Sequence, residues 1–172
     1  MSCVSLEEIA QECERNSGGI HEIYVGLQDS ITAITEDEAT WKVSAMTIDE
    51  PVVSLNVKRK TSNYVEDEQN DFVNGSNVVT ATITAMIHRR DAAKSRAINI
   101  MGAGQRYLYV LVKDANGKYW YFPFTQLQSV GEGSGQERAD GSKYSLVFVA
   151  ESDHLAYEVD ATVAAAIIAY TS

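Results

Sequence analysis

The sequence predicts a mainly β protein: a β-sandwich or barrel with one long hairpin and one flanking α-helix. Three observations point there. About eight segments are rich in β-branched and aromatic residues, several of them alternating apolar and polar side chains with a period of two. Glycine turns punctuate the chain, and only one stretch has both the spacing and the caps of a long helix. At 172 residues the chain is the size of one domain spanning 1–172, and 45% hydrophobic with 22% charged residues is globular composition. Segments 1–18 and 160–172 are candidate docking arms.

In chain order, Ser5-Leu-Glu-Glu8 fits a capping box and predicts a short helix over residues 6–13, ended by Asn16-Ser17-Gly18-Gly19. IHEIYVGL, residues 20–27, reads as a strand. So does ATWKVSAMTI, residues 39–48, with Trp41, Val43 and Ala45 on one face, before Asp49-Glu50-Pro51 breaks the chain. Residues 52–60 and 78–88 share a period-two pattern and predict the long hairpin, joined by the polar segment 61–77. Val53, Leu55, Val57, Val79, Ala81, Ile83, Ala85 and Ile87 form its apolar side. Ser54, Asn56, Lys58, Thr80, Thr82 and Thr84 form a face of small polar groups toward solvent or a lumen.

Asp91 is a good N-cap and Gly102 a good C′ residue, so a helix is predicted between them with Ala93, Ala97, Ile100 and Met101 on its packed face. Residues 106–114 and 118–124 then form a second hairpin around Asn116-Gly117, the dipeptide of a type I′ turn. Its second strand carries Tyr119, Trp120, Tyr121 and Phe122 in succession, so both faces are aromatic and neither is an ordinary wet surface. One face is expected in the core and the other against a helix or a neighbouring subunit, which makes Trp120 a candidate interface residue. A glycine loop at 131–135, strands at 142–151 and 155–159, and a terminal segment ATVAAAIIAY of undecided conformation complete the reading.

The same residues exclude several functions. A net charge of −10 opposes general phosphate binding. Cys3 and Cys13 suggest neither a disulfide framework nor a zinc site, and His21, His88 and His154 occur singly without metal-ligand spacing. The N-terminus has no basic n-region, and the apolar C-terminal run is about half a membrane span, so neither a secretory signal nor a span is expected. No serine lies in a nucleophile elbow, and the glycines at 131–135 and 102–104 lack the context of a phosphate loop or a dinucleotide fingerprint. Neither catalysis nor a cofactor is expected. The acidic tract Glu66, Asp67, Glu68 to Asp71 reads as a solvated hairpin tip. Its sign is opposite to the patches Lys58-Arg59-Lys60 and Arg89-Arg90 near strand ends, so these residues form a candidate subunit interface through charge complementarity.

Taken in order, Gly19-Ile-His-Glu-Ile-Tyr24, the long polar hairpin, the Arg89-Arg90 helix, Asn116-Gly-Lys-Tyr-Trp-Tyr121 and Asp140-Gly-Ser-Lys-Tyr144 resemble the tail tube proteins of tailed bacteriophages that infect Bacteroides-like hosts. The resemblance implies a subunit of a homo-oligomeric ring, usually a hexamer, whose stacked copies conduct DNA without specific binding. It implies contacts with other phage structural proteins, assembly in the host bacterial cytoplasm and a final place in the virion tail. A capsid-decorating or head-to-tail ring protein fits the same β-rich layout. A monomeric β-barrel binding module, using the aromatic strand as a ligand platform, is the reading from a different class.

Overall fold

A computed structural model of the chain describes residues 6–11 and 13–171. The protein is mainly β, and the described residues form ten strands and two α-helices in the order β1 (Ile20–Leu27), β2 (Ile31–Asp37), β3 (Lys42–Ile48), β4 (Val53–Leu55), β5 (Asn63–Asp71), β6 (Ser76–His88), α1 (Ala92–Gly102), β7 (Leu108–Asp114), β8 (Tyr119–Gly131), β9 (Lys143–Ser152), β10 (Tyr157–Val159) and α2 (Ala161–Ile168). The strands form one sheet that curls back on itself. Its larger part has the order β2-β3-β10-β8-β7-β1-β4, and the remainder has the order β5-β6-β9-β8. All pairings are antiparallel except β3 with β10.

β8 belongs to both parts because it bends in the middle. Pro123 has no N–H for the ladder, the β7 register slips between Val110↔Phe122 and Leu108↔Thr125, and Phe124 takes a left-handed φ of 48°. Before the bend, β8 pairs with β7 and β10. Beyond it, Gln126–Gly131 pairs with β9.

Two apolar layers follow from strand alternation. Ile23, Val25, Val110, Val112 and Phe122 point toward the inner face of β6 and β9, where they meet Ala81, Ile83, Ala85, Leu146 and Phe148. The opposite side of the same strands presents Tyr24, Tyr109, Leu111 and Tyr121 to Ala164 and Ile167 of α2. The consecutive aromatics of β8 are thereby explained within one chain: Trp120 and Phe122 serve the first layer, Tyr119 and Tyr121 the second. Each large side chain so buried contributes roughly 1.5–3 kcal/mol. Gly26 is where the second layer is tightest, because a Cβ there would lie 2.4 Å from Cζ of Tyr109.

Several sequence expectations need correction. Residues 6–11 and 13 are not helical and are exposed, while Ser5 lies outside the described residues. The strand expected over 52–60 is only the three residues of β4, because the Val57 N–H turns back to the Leu55 carbonyl at 2.9 Å. β4 pairs with β1, and the hairpin partner of β6 is β5, inside the segment taken as a polar connection. β2 was not anticipated.

In β3 an extra residue, Ser44, sits opposite Thr35–Glu36, so burial passes from Val43 to Met46 and Ile48 and leaves Ala45 exposed. Asp91 caps α1 by accepting from Lys94 N at 2.8 Å, but the helix packs through Ile98 and Met101, with Ala93, Ala97 and Ile100 exposed. The left-handed glycine after it is Gly104, not Gly102. Around Asn116-Gly117 only Gly117 has positive φ. Asp114 N–H bonds Lys118 O and Gly117 N–H bonds Asp114 O, the pattern of a three-residue loop with a glycine bulge, not of a type I′ turn. The terminal segment forms a second helix, α2, docked on its own domain: Val52 N–H donates to Tyr170 O, and a bridge joins Val52 to Thr171.

Candidate functional site

The candidate site is the outer face of the four strands β5-β6-β9-β8, together with their two edges and two ends. β6 supplies its centre. Thr80, Thr82 and Thr84 alternate with the buried Val79, Ala81, Ile83 and Ala85, as the period-two pattern dictates. Register then places their neighbours. Asp67, Thr80 and Glu151 lie in one row, Val65, Thr82, Val149 and Gln126 in the next, and Asn63, Thr84, Val147 and Ser129 in a third. Met86 with Ser145 and His88 with Lys143 finish the face.

No arginine occurs in these rows, and the only lysine is at one end. Asp67, Asp71 and Glu151 leave the face weakly acidic. It is a smooth surface of hydroxyls, amides and valines.

Among the described residues, both lateral edges of this face lack a partner strand. β5 pairs only with β6 along Asn63–Asp71, and Gln126–Gly131 of β8 pairs only with β9. β5 is a strand despite its acidic sequence because one side faces the core through Tyr64, which packs against Phe122, and the other faces water. Charges on such an edge discourage indiscriminate pairing. Beside the β8 edge, Tyr107 and Phe124 stand edge to face with centroids 6.0 Å apart, in an open groove that Gln126, Val149 and Glu151 also line.

The ends differ in charge. Lys58, Arg59 and Lys60 lie in the loop before Asn63, while Arg89 and Arg90 follow His88. Register puts both at the same end as Lys143. Arg90 lies over the Tyr144 ring at 4.4 Å and donates to the Glu132 carbonyl. The other end carries Asp67, Glu68, Asp71 and the turn Phe72–Gly75. Asp71 caps that turn, accepting from Val73 N, Asn74 N and Asn74 Nδ2 at 2.8, 3.1 and 2.6 Å. These bonds, led by the Asn74 side chain, hold its carboxyl below the usual value.

Of the residues singled out by sequence, Thr80, Thr82 and Thr84 are together on this face. Ser54 is elsewhere, paired with Tyr24 in β4, and Asn56 and Lys58 are in a loop. Glu66 is not at a tip. It is half-buried mid-strand and accepts from Ala156 N at 2.7 Å, and burial pushes its pKa up against the pull of that bond. Trp120 points inward, and its Nε1 donates to Asp114 at 2.9 Å. Asp114 also receives Asn116 N and Lys118 N, which fixes the hairpin loop.

Sequence reading missed Val65, Ser145, Val147 and Val149 on the outer face. Alternation in SLVFV, residues 145–149, carried that signal once Leu146 and Phe148 are taken as buried. It also missed Phe72 and Val73, which are 96% and 93% exposed.

His154 is engaged with Trp41 and Tyr157 in an aromatic cluster. Among the described residues no three His, Cys, Asp or Glu side chains converge as a metal site would require, and no helix is long and apolar enough to cross a membrane. No protein-family model matches this sequence, and neither does any curated protein.

Proposed function

We propose that the chain is a tail tube subunit of a tailed bacteriophage, building stacked rings that conduct DNA in the virion tail. The observation that carries this reading is a four-stranded antiparallel sheet with two open edges, one covered face and one smooth face. With an even number of antiparallel strands, the two edge strands run in opposite directions. The β5 edge of one copy therefore meets the β8 edge of the next in the antiparallel sense, and the contact is head-to-tail. Self-pairing of β5 would set Glu66, Asp67, Glu68 and Asp71 against their own kind, whereas β8 offers Gln126, Gln128 and Ser129. Charge thus favours a ring over a two-fold dimer.

About six copies would contribute about 24 strands. At a spacing of about 4.8 Å and a tilt of about 40°, these close into a barrel roughly 45–50 Å across at the backbone, which leaves room for a duplex. The lumen would carry Thr80, Thr82, Thr84, Val147 and Val149, with Asp67 and Glu151, no arginine, and a single lysine, Lys143, at one end. Lys58 is in the loop between β4 and β5, so in this reading it would not face the lumen. No bond is made or broken. The partners are further copies, other phage structural proteins and DNA that passes unbound.

Electron microscopy of the purified protein across a concentration series tests this reading. Hollow rings and tubes are expected, and a Thr82→Lys, Thr84→Lys double variant is expected to form the same tubes but retain DNA in a salt-dependent way. Compact single particles at every concentration, unchanged on adding preformed tail tips, would overturn it. Rings that never stack favour a head-to-tail ring or decorating role. The exposed Tyr107–Phe124 pair is what supports a ligand-binding module instead, and glycan binding by a monomer would establish that reading.

A further inference from the structure

The β5–β6 hairpin outruns the rest of its sheet. β9 leaves β6 at Val79↔Ser152, so Gln69–Asp71 and Ser76–Val78 pair only with each other, and the turn stands beyond them. At this tip Phe72 and Val73 are almost wholly exposed, on a backbone held by Asp71 and by the left-handed Gly75. A solvated turn has no use for a phenylalanine. One that is rigidly presented loses little entropy on docking.

Beyond the other end of β5 lies a groove of about 320 Å³. Gly18, Gly19, Ile20 and Ala115 line it together with the polar Ser17 and His21, and Arg59 and Lys60 flank it. Neither cation has a carboxylate within ion-pair distance among the described residues. The groove is at the small end of the roughly 300–1,000 Å³ range of binding clefts, a size that suits one aromatic ring and a branched neighbour.

We propose that the Phe72–Val73 tip of one copy seats in the Gly18–Ile20/Arg59–Lys60 groove of a second copy, with Asp67, Glu68 and Asp71 meeting Arg59 and Lys60. Tip and groove lie at opposite ends of β5, some 26 Å apart at about 3.3 Å per residue, so one chain cannot close the contact on itself. A patch on one copy that fits a different patch on the next does not end in a dimer. It propagates along the strand axis, and resting on the tube reading, it is what stacks each ring on the one below.

Cross-linking tests the contact whatever the state of assembly. In a Cys3→Ser, Cys13→Ser background, a Val73→Cys protein is mixed with a Gly18→Cys protein and mildly oxidised. Gly18 tolerates a side chain, since its φ is ordinary and a Cβ there meets nothing within 4 Å. A disulfide-linked dimer is expected from the mixture. Its yield should fall by more than about tenfold with Phe72→Ser on the first protein, as the loss of an anchoring aromatic implies. A yield no higher than that of a Val65→Cys control, half as exposed and in mid-strand, overturns the proposal.

Charge gives a second arm that does not depend on either substitution folding. Arg59→Glu alone and Glu68→Arg alone should each weaken the cross-link, and the two together should restore it. Electron microscopy separates this contact from the tube reading: tubes that persist in Phe72→Ser overturn the contact alone, while cross-links without rings overturn the tube alone.

Discussion

The two halves of β8 belong to one strand and live in different surroundings. From Tyr119 to Phe122 its side chains pack toward β6 and β9 on one side and α2 on the other, fully buried at Tyr121 and Phe122, and Tyr119–Tyr121 is paired along both edges. From Gln126 to Gly131 one face is open, one edge is unpaired among the described residues, and the aromatics give way to Gln126, Leu127, Gln128, Ser129 and Val130. Pro123 and Phe124 separate the two. The first half spends most of its surface on contacts inside the chain and contributes chiefly to stability. The second half retains an unfilled edge and an unfilled face, the features that the proposed assembly would use.

The largest expected effect comes from the covered half. Phe122→Ala should destabilise the monomer by about 3–5 kcal/mol, read from chemical denaturation, because a buried ring with no room to collapse leaves a cavity. Gly26→Ala tests the second layer. The new methyl would meet the Tyr109 ring, and overpacking of this kind typically costs about 1–3 kcal/mol. Wild-type stability in either variant would mean that the layers are less tightly filled than their burial implies. Trp120→Ala belongs with this group, since its indole N–H is committed to Asp114.

On the open half the expectation reverses. Thr82→Val lies on the outer face beside Val65 and Val149 and should change monomer stability by no more than about 0.5 kcal/mol. Any effect should appear in assembled particles, as altered ring or tube yield by sedimentation. A large loss of monomer stability would show that this face is covered within the chain, and would remove the distinction between the two halves.

How much of this was legible follows the same division. The covered strands are legible for two reasons: Lys143–Ser152 and the inner face of β6 alternate with a period of two, while Ile20–Leu27 and Leu108–Asp114, covered on both faces, show as runs of β-branched, aromatic and aliphatic residues. The threonine face was readable for the same reason, as the complement of that inner face. Edges were not. β5 is acidic and β2 is mostly exposed, so neither shows the apolar pattern that marks a strand, and each is held by its neighbour's backbone. The missed edge gave β6 the wrong hairpin partner and moved Ser54, Asn56 and Lys58 onto a face they do not occupy. Bulges did the rest, since one extra residue at Ser44 exchanges inside for outside along β3. Alternation says that both faces of the aromatic strand are covered without saying by what, and the structure places Trp120 against the core within one chain.

Glu66 is where the covered and open regions meet, and it provides the smallest and most diagnostic test. Burial lifts its pKa above the ordinary 4.5, and the hydrogen bond from Ala156 N offsets this only in part. A raised folded-state pKa means that the fold binds this proton more tightly than the unfolded chain does. The site therefore favours folding fully below the ordinary value, and that contribution is lost as pH rises through the folded one. Glu66→Gln keeps an oxygen to accept from Ala156 N and removes the charge. The variant should match wild type in acid and melt at a slightly higher temperature near neutral pH, the gap opening as pH climbs past the ordinary carboxylate range. If it melts lower at neutral pH instead, the charge strengthens the Ala156 bond by more than burial penalises it. Glu66 would then be a latch holding the 153–156 loop to β5, and the acidic edge would owe part of its sequence to the fold itself.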